Sequence, residues 1–412
     1  MTPTQLPTSQ TVLLLHGPRQ PYDVTTGYPL PELQNGREIL VQTETLGLNP
    51  IDWKAPDFNF GIPELPYIAG RELAGRVVKT SHSTQRFKVG DLVLVISTDY
   101  RDLRKAGFQQ YVVSFDFNTA RIPPNICSQA GATIGVAYVA AVLSLGICMG
   151  VDFSSVLDGP NLLQIVRSIE PEALPEDIRR ECRSGIDSHD KAVAGDWIAI
   201  WGGKVDLSQC SSTSANLAVQ LARLAGLRVV TIVDKAKHGL RLSNHQLLKP
   251  DLLVDSHDPD RAVAIIKANV GKNLRFALDT TGRESARSLL AALWKPYGDA
   301  VLEDGRATPP PSPPETPRGS TSLSSHLIGL TGLPKESAPS GVVYHKVPIK
   351  LFHEVPAVGE SLVLWLERLL EMGKLTPPEI LASESGFDGV NRALDRMRKG
   401  DIRGGRMVVN LT

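Results

Sequence analysis

The chain has 412 residues, 42% hydrophobic and 21% charged, with Lys+Arg and Asp+Glu both at 44 and a formal net charge of zero. That length holds two domains or one large one, and the composition is that of a soluble globular protein. Balanced charge excludes a general nucleic-acid binder, which needs a basic surface.

The opening residues, Met1 to Gln10, are polar and carry no signal-peptide apolar core. Cys127, Cys148, Cys182 and Cys210 show no C-x-x-C spacing. They predict neither a disulfide framework nor a zinc knuckle, and they fit a reducing, cytoplasmic compartment. Residues 11–120 read as rich in β structure. Glu38–Thr43, Gly75–Val78 and Asp91–Val95 are strand-like, and Val89-Gly90-Asp91 is a turn feeding the last. Between them lie Gly47–Lys54 and Gly70–Gly75.

The most apolar stretch, Gly131–Val151, contains glycines and lies inside the chain. It is expected to be a buried helix and not a membrane span, which needs about 20 apolar residues. Residues 152–194 have mixed charge and two short helical segments, Asn161–Ile169 and Pro175–Cys182. They read as an insertion, either a helical cover over a ligand site or surface decoration.

Gly195–Lys237 is the most informative stretch. Asp196–Trp201 is a short apolar run ending at Gly202-Gly203, and Ala215–Leu224 has helical periodicity closed by Gly226. Arg228–Asp234 reads as a second buried strand. Strand, glycine turn, helix and strand make a βαβ unit with a right-handed crossover. The helix N-terminus after such a turn offers free N–H groups to a phosphate, so a dinucleotide is expected there. Gly202, Gly203, Ser211, Ser212, Thr213 and Ser214 are the candidate contacts. The G-x-G-x-x-G pattern is incomplete, since Lys204–Cys210 intervene and Ser214-Ala215-Asn216 stand where a third glycine belongs. A βαβ unit without a cofactor therefore remains an alternative.

Asp234 ends the second strand, where an acid favours the free ribose of NAD. Lys235, Lys237 and His238 follow and offer charge to a 2′-phosphate, which favours NADPH; NADH stays open. Strand Leu252–Asp255, helix Asp260–Val270, strand Leu274–Asp279 and helix Glu284–Leu293 continue the rhythm. Thr281, just past the third of these, joins the cofactor candidates. Residues 303–325 are rich in Pro and Ser and read as a mobile surface loop. Helices at Gly359–Glu371 and Gly386–Lys399 and a strand at Arg406–Leu411 complete the chain.

In order and spacing these pieces resemble the medium-chain dehydrogenase/reductase superfamily. The carriers are Gly70-Arg71-Glu72-Leu73-Ala74-Gly75-Arg76-Val77, Val89–Val93, Gly195–Ile198, Gln220-Leu221-Ala222, and Gly386–Val390 through Arg406–Val409. Within it, Asn49-Pro50-Ile51-Asp52-Trp53-Lys54 is most similar to zinc-free fungal enoyl reductases that act in trans with polyketide synthases, and to quinone-oxidoreductase relatives. The resemblance implies an α/β fold: a Rossmann-type doubly wound parallel sheet over residues 137–345, with insertions at 152–194 and 303–325. A GroES-like β-barrel catalytic domain would comprise residues 1–136 and 346–412, with cofactor and substrate in the cleft between the two.

Zinc-dependent members place a cysteine at Asn49 and a histidine at Arg71, and neither residue here is a zinc donor in that role. Glu72 alone cannot hold the ion, and residues 97–111 lack the cysteines of a structural zinc lobe. No metal is expected. The resemblance implies hydride transfer from a nicotinamide to an enoyl-, enone- or quinone-type acceptor. It places Lys54 on the cleft floor, where an ammonium would bond the acceptor's carbonyl oxygen or the ribose, and Asn49 beside the cofactor. Tyr138 either donates a proton there or packs in the core. The implied substrate is a small molecule or a carrier-bound polyketide-like chain, with a synthase as partner, and no nucleic acid or membrane. Two other readings stay open: the fold kept for an isomerisation or cyclisation, and a non-catalytic synthase partner.

Overall fold

The computed structural model describes residues 6–203, 213–295, 323–402 and 404–411. In chain order, β1 (Ser9–Leu14) and β2 (Asp23–Pro29) form an antiparallel pair. There follow β3 (Glu38–Gly47), β4 (Glu72–Thr80), β5 (Leu92–Ile96), β6 (Tyr111–Phe115) and β7 (Thr119–Arg121). The α/β part contributes β8 (Trp197–Trp201), β9 (Arg228–Val233), β10 (Leu252–Asp255), β11 (Leu274–Asp279), β12 (Ser325–Gly329) and β13 (Val342–Lys346). The chain ends on β14 (Ile380–Ser385) and β15 (Arg406–Asn410).

Among the described residues two larger sheets result. One runs β14-β15-β3-β4-β5-β7, with β6 also on β3, and is antiparallel except at β14–β15. Strands from both ends of the chain build it: Val408 pairs Gly47 and Val409 pairs Leu46. Its inward residues, among them Val41, Leu46, Leu73, Val77 and Met407, form one core. The other sheet is parallel in the order β10-β9-β8-β11-β12-β13. Numbered from β8, that is the 3-2-1-4-5-6 arrangement of a Rossmann sheet. Its topological switch lies between β8 and β11, where such folds bind ligands beyond the carboxyl ends of the strands.

The segment from Ser128 to Cys148 is long and apolar enough to cross a membrane, but 94% of its window is buried inside the protein. It is a core helix joining the two sheets. One crowded contact fixes its approach: a Cβ on Gly47 would lie 1.7 Å from the Ala132 carbonyl oxygen, so only glycine ends β3 there.

Residues 152–194 do not cover the cleft. Their helices, Leu162–Arg167 and Glu176–Ser184, put Leu162, Leu163, Val166 and Cys182 into the core with Trp365 and Leu369. The segment is thus structural filling, which neither sequence alternative anticipated. Of the Pro/Ser-rich stretch, residues 303–322 lie outside the described residues. Its end is tied down, since the Ser324 N–H donates to Asp190 Oδ1 at 2.9 Å and Ser325 opens β12.

Candidate active site

The Asn49–Lys54 run begins the helix Pro50–Phe58. Pro50 at its first position needs no N–H partner and is pre-set for helical φ. The Asn49 N–H donates to Asp52 Oδ2 at 2.7 Å, the reciprocal half of a capping box. Asp52 therefore orients the turn. Its other oxygen, Oδ1, is buried without a partner. Burial pushes its carboxyl up to about 7, although the Asn49 N–H, Arg71 and Arg406 oppose the shift.

The helix start is locked to the barrel by a buried polar cluster. Asn49 Nδ2 donates to Glu72 Oε1 at 3.0 Å, and Arg406 Nη1 donates to Asn49 Oδ1 at 2.9 Å. Arg406 Nη2 donates to Glu72 Oε1. Glu72 Oε2 accepts from the Val136 N–H at 2.8 Å, at the N-terminus of the Gly135–Leu143 helix. That helix end favours the carboxylate.

Asn49, Val136 and Arg406 edge a cleft of 440 Å³ between the two sheets, to which Lys54, Arg71, Tyr100, Thr213, Ser214 and Thr280 also contribute. Much of its wall is apolar, including Leu48, Ile51, Leu330, Ile349 and Met397. Lys54 Nζ lies 5.5 Å from the Trp53 ring centroid, and the Arg71 guanidinium 5.3 Å from that of Tyr100. Thr213 and Ser214 open the helix Thr213–Leu224 at the Rossmann side of the cleft. A Cβ on Gly202 would meet the Ala215 methyl at 2.7 Å, so Gly202 permits the close helix–strand packing that the incomplete glycine pattern left unexplained. The Gly203 carbonyl accepts from Trp201 Nε1 at 2.8 Å, which fixes the end of β8. Ser211 and Ser212 lie outside the described residues.

Two sequence candidates are corrected. Tyr138 is fully buried, donates its hydroxyl to the Leu362 carbonyl at 3.0 Å and sits 6.2 Å from the Trp365 ring. Burial alone raises its phenol well above the ordinary value. It is a core tyrosine turned from the cleft and gives no proton there. Thr281 is likewise committed: its N–H donates to Asp279 Oδ2 at 3.2 Å and its hydroxyl to the Trp201 carbonyl at 3.4 Å. Thr280, its neighbour, is the residue that lines the cleft. Sequence reading also missed Arg406, Tyr100 and Thr331. An arginine opening an otherwise apolar strand, Arg406–Asn410, was the available signal for the first.

The basic cluster sits at the end of β9. Asp234 caps the Lys235–Asn244 helix, accepting from the Lys237 N–H at 3.1 Å, and pairs with Lys237 Nζ at 2.9 Å. These contacts hold its carboxyl below the ordinary value against partial desolvation. Lys235 edges a neighbouring pocket of 480 Å³ with Asp255, His257 and Arg261 on the rim and Val254, Ala262 and Ile265 inside. His238 is not directed there, because its ring packs under Gly404, where a Cβ would lie 2.3 Å from Cε1.

Residues 35–124 match the alcohol dehydrogenase GroES-like domain family. The trans-enoyl reductase caaB of Aspergillus niger is 27% identical over 408 residues, covering 98% of this chain and 97% of that protein. An alcohol dehydrogenase superfamily protein of Novosphingobium aromaticivorans superposes with a TM-score of 0.67 at 17% identity, covering 98% and 100% of the two chains. The CurK enoyl reductase superposes with a TM-score of 0.63 at 15% identity, covering 98% and 99%.

Proposed function

We propose that the chain is a member of the medium-chain dehydrogenase/reductase superfamily and an NADPH-dependent reductase of an activated carbon–carbon double bond whose cleft uses no metal, a reading supported by the matched GroES-like domain, the trans-enoyl reductase relative and the shared fold. The observation that carries this reading is the cleft itself. It joins Lys54 and Arg71 from the barrel side to a helix N-terminus and Thr280 at the switch point of the parallel sheet.

The described residues fit a dinucleotide. The N–H groups and hydroxyls of Thr213 and Ser214 suit a pyrophosphate. The pocket beyond β9 and β10, with Val254, Ala262 and Ile265 in its lining, suits an adenine, with Lys235 at its edge and Lys237 beside Asp234. Because Lys237 already neutralises Asp234, the acid does not repel a 2′-phosphate, and this supports NADPH over NADH. The bound nicotinamide supplies the hydride.

The rest falls to the chain. Lys54 donates to the carbonyl oxygen of the acceptor as negative charge grows there, a placed donor of the kind worth about 2.7–4 kcal/mol of barrier. Tyr100 supplies the phenol that Tyr138 cannot, and we assign it the proton for the second carbon. The Arg406 guanidinium, bonded to both Asn49 and Glu72, puts a fixed positive charge where a cation would need those groups. The cleft lining offers neither thiolate nor imidazole among the described residues. Its apolar wall suits an acyl chain. The naming of the relative as a trans-enoyl reductase supports a carrier-bound polyketide-like substrate handed over by a synthase.

The test is NADPH oxidation by the purified protein with a simple enone and with an enoyl thioester, before and after chelator treatment. Turnover unaffected by the chelator supports the reading. Binding of neither NADPH nor NADH would move the fold to a non-redox role.

A further inference from the structure

We propose that Cys148, Glu181 and His345 form a binding site for a zinc-like divalent cation, separate from the cleft. Three distant segments meet there. Cys148 ends the π-helical turn Ser144–Cys148, Glu181 lies on the Glu176–Ser184 helix, and His345 lies on β13. One donor atom from each falls within 4.8 Å of the others. Cys148 and His345 are fully buried, and the Glu181 side chain is 17% exposed. None of the three lines the cleft. Thiolate, carboxylate and imidazole together are the donor set of zinc and not of magnesium or calcium.

Hydrogen bonding supplies an independent argument. His345 Nδ1 lies 2.6 Å from Glu181 Oε1, and its Nε2 lies 2.9 Å from His326 Nδ1. His326 Nε2 is buried with no partner, and the nearest carboxylate oxygen, Asp190 Oδ2, is 3.8 Å away. Asp190 Oδ1 is already taken by Arg275 and the Ser324 N–H. With neutral imidazoles and an ionised Glu181, the His345 proton must sit on Nδ1. His345 Nε2 then accepts from His326 Nδ1–H, and His326 Nε2 is left as a bare lone pair facing a carboxylate.

A cation on His345 Nδ1 reverses the chain of protons. His345 Nε2–H donates to His326 Nδ1, and His326 Nε2 carries a proton toward Asp190. A metal-bound histidine normally hands its other N–H to such a neighbour. The change replaces a bare lone pair facing a carboxylate with an N–H facing it at 3.8 Å, a favourable charge arrangement in place of a repulsive one. The Cys148 thiol, which is hydrogen-bonded to the same Glu181 carboxylate, completes the donor set.

The geometry needs little adjustment. Metal–ligand lengths of about 2.0–2.3 Å in a tetrahedron put the donors about 3.3–3.6 Å apart. His345 and Glu181 must therefore separate by under about 1 Å, which a partly exposed glutamate on a surface helix allows. On binding, Cys148 gives up its thiol proton to solvent and becomes a thiolate ligand. The ion would clamp the 152–194 segment to the edge strand of the parallel sheet.

The test uses the full chain, stripped with chelator and titrated with Zn²⁺ and with Co²⁺. One equivalent should bind, raise the melting temperature, and with cobalt give thiolate charge-transfer absorption and tetrahedral d–d bands. Cys148→Ser should abolish the charge-transfer band, while Cys127→Ser should keep it. His326→Ala should weaken binding about 10–100-fold. Glu181→Gln sits at a partly exposed position and keeps the falsification open if Cys148→Ser does not fold; it should weaken zinc binding. The proposal is overturned by no stoichiometric binding, by cobalt binding without a thiolate band, by a band that survives Cys148→Ser, or by unchanged affinity in Glu181→Gln.

Discussion

Arg406 and Glu72 form an ion pair with side chains 5% and 1% exposed, across a sequence separation of 334 residues. The pair joins β15 to β4 and, through Asn49, holds the start of the helix that carries Lys54. Removing one partner leaves a buried charge uncompensated, so Arg406→Leu should lower unfolding free energy by about 3–5 kcal/mol. The double variant Arg406→Leu, Glu72→Leu should recover most of that loss. Denaturant titration of the three variants measures the coupling, and additive losses would show that the pair does not act as a unit.

Lys54→Ala should lower kcat by about a hundredfold or more while leaving the dissociation constant of NADPH within about threefold, as expected for a group acting on the transition state. Tyr100→Phe should lower kcat less than Lys54→Ala does while leaving NADPH binding unchanged. Steady-state kinetics with a parallel binding titration separates the two effects. Equal loss of cofactor binding in Lys54→Ala would reassign that residue to the ribose.

Asp52 sets a pH dependence of stability. Its carboxyl is raised by burial to about 7 in the folded chain, against an ordinary value of 3.8. The folded state therefore holds a proton that the unfolded state has released between those values, and stability falls as pH rises through that window. It is fully present below about 4 and lost above about 7, with a slope of up to about 1.4 kcal/mol per pH unit. Asp52→Asn keeps an oxygen to accept the Asn49 N–H and should flatten the slope. Urea midpoints measured at several pH values check this; an unchanged slope would place the titration elsewhere.

The alternation and punctuation of the chain made most strands legible. Leu252–Asp255 and Leu274–Asp279 have the bounds read from sequence, and β8 and β9 begin or end within a residue. β12 and β13 were missed, because Ser325–Gly329 is short and adjoins the Pro/Ser-rich stretch, and Val342–Lys346 passes from two valines straight into Tyr344, His345 and Lys346 with neither an apolar run nor an alternation. The helix Pro50–Phe58 was also missed, since a second proline inside it, Pro56, argues locally against a helix that tertiary packing then supports. The place of Lys54 in the cleft lining was legible from its motif. Tyr138 was not decidable, because facing the cleft or the core depends on one helix's rotation. Arg406 with Glu72 and His345 with Glu181 are pairings between distant segments that no local pattern encodes.

Cofactor preference should depend on Lys235 and Lys237. Lys237 also screens Asp234 at 2.9 Å, so its loss both removes a donor and exposes an acid to the 2′-phosphate. Each charge-assisted bond to that phosphate is worth about 1.5–3 kcal/mol. Lys235→Ala with Lys237→Ala should therefore weaken NADPH by one to two orders of magnitude and change NADH little, shrinking or reversing the preference. Titrating both cofactors into wild type and double variant decides it. Equal losses for the two would mean that the lysines serve stability.

The most direct test of the account follows NADPH absorbance when the chelator-treated, full-length protein meets an enoyl thioester. The account predicts stoichiometric oxidation of NADPH with saturation of the double bond, slower with NADH, and reduced at least about a hundredfold in Lys54→Ala. NADPH binding without oxidation by the thioester or by any simple enone would contradict it. So would activity that disappears with the chelator and returns with zinc in the Cys148→Ser variant, which would put a metal in the cleft.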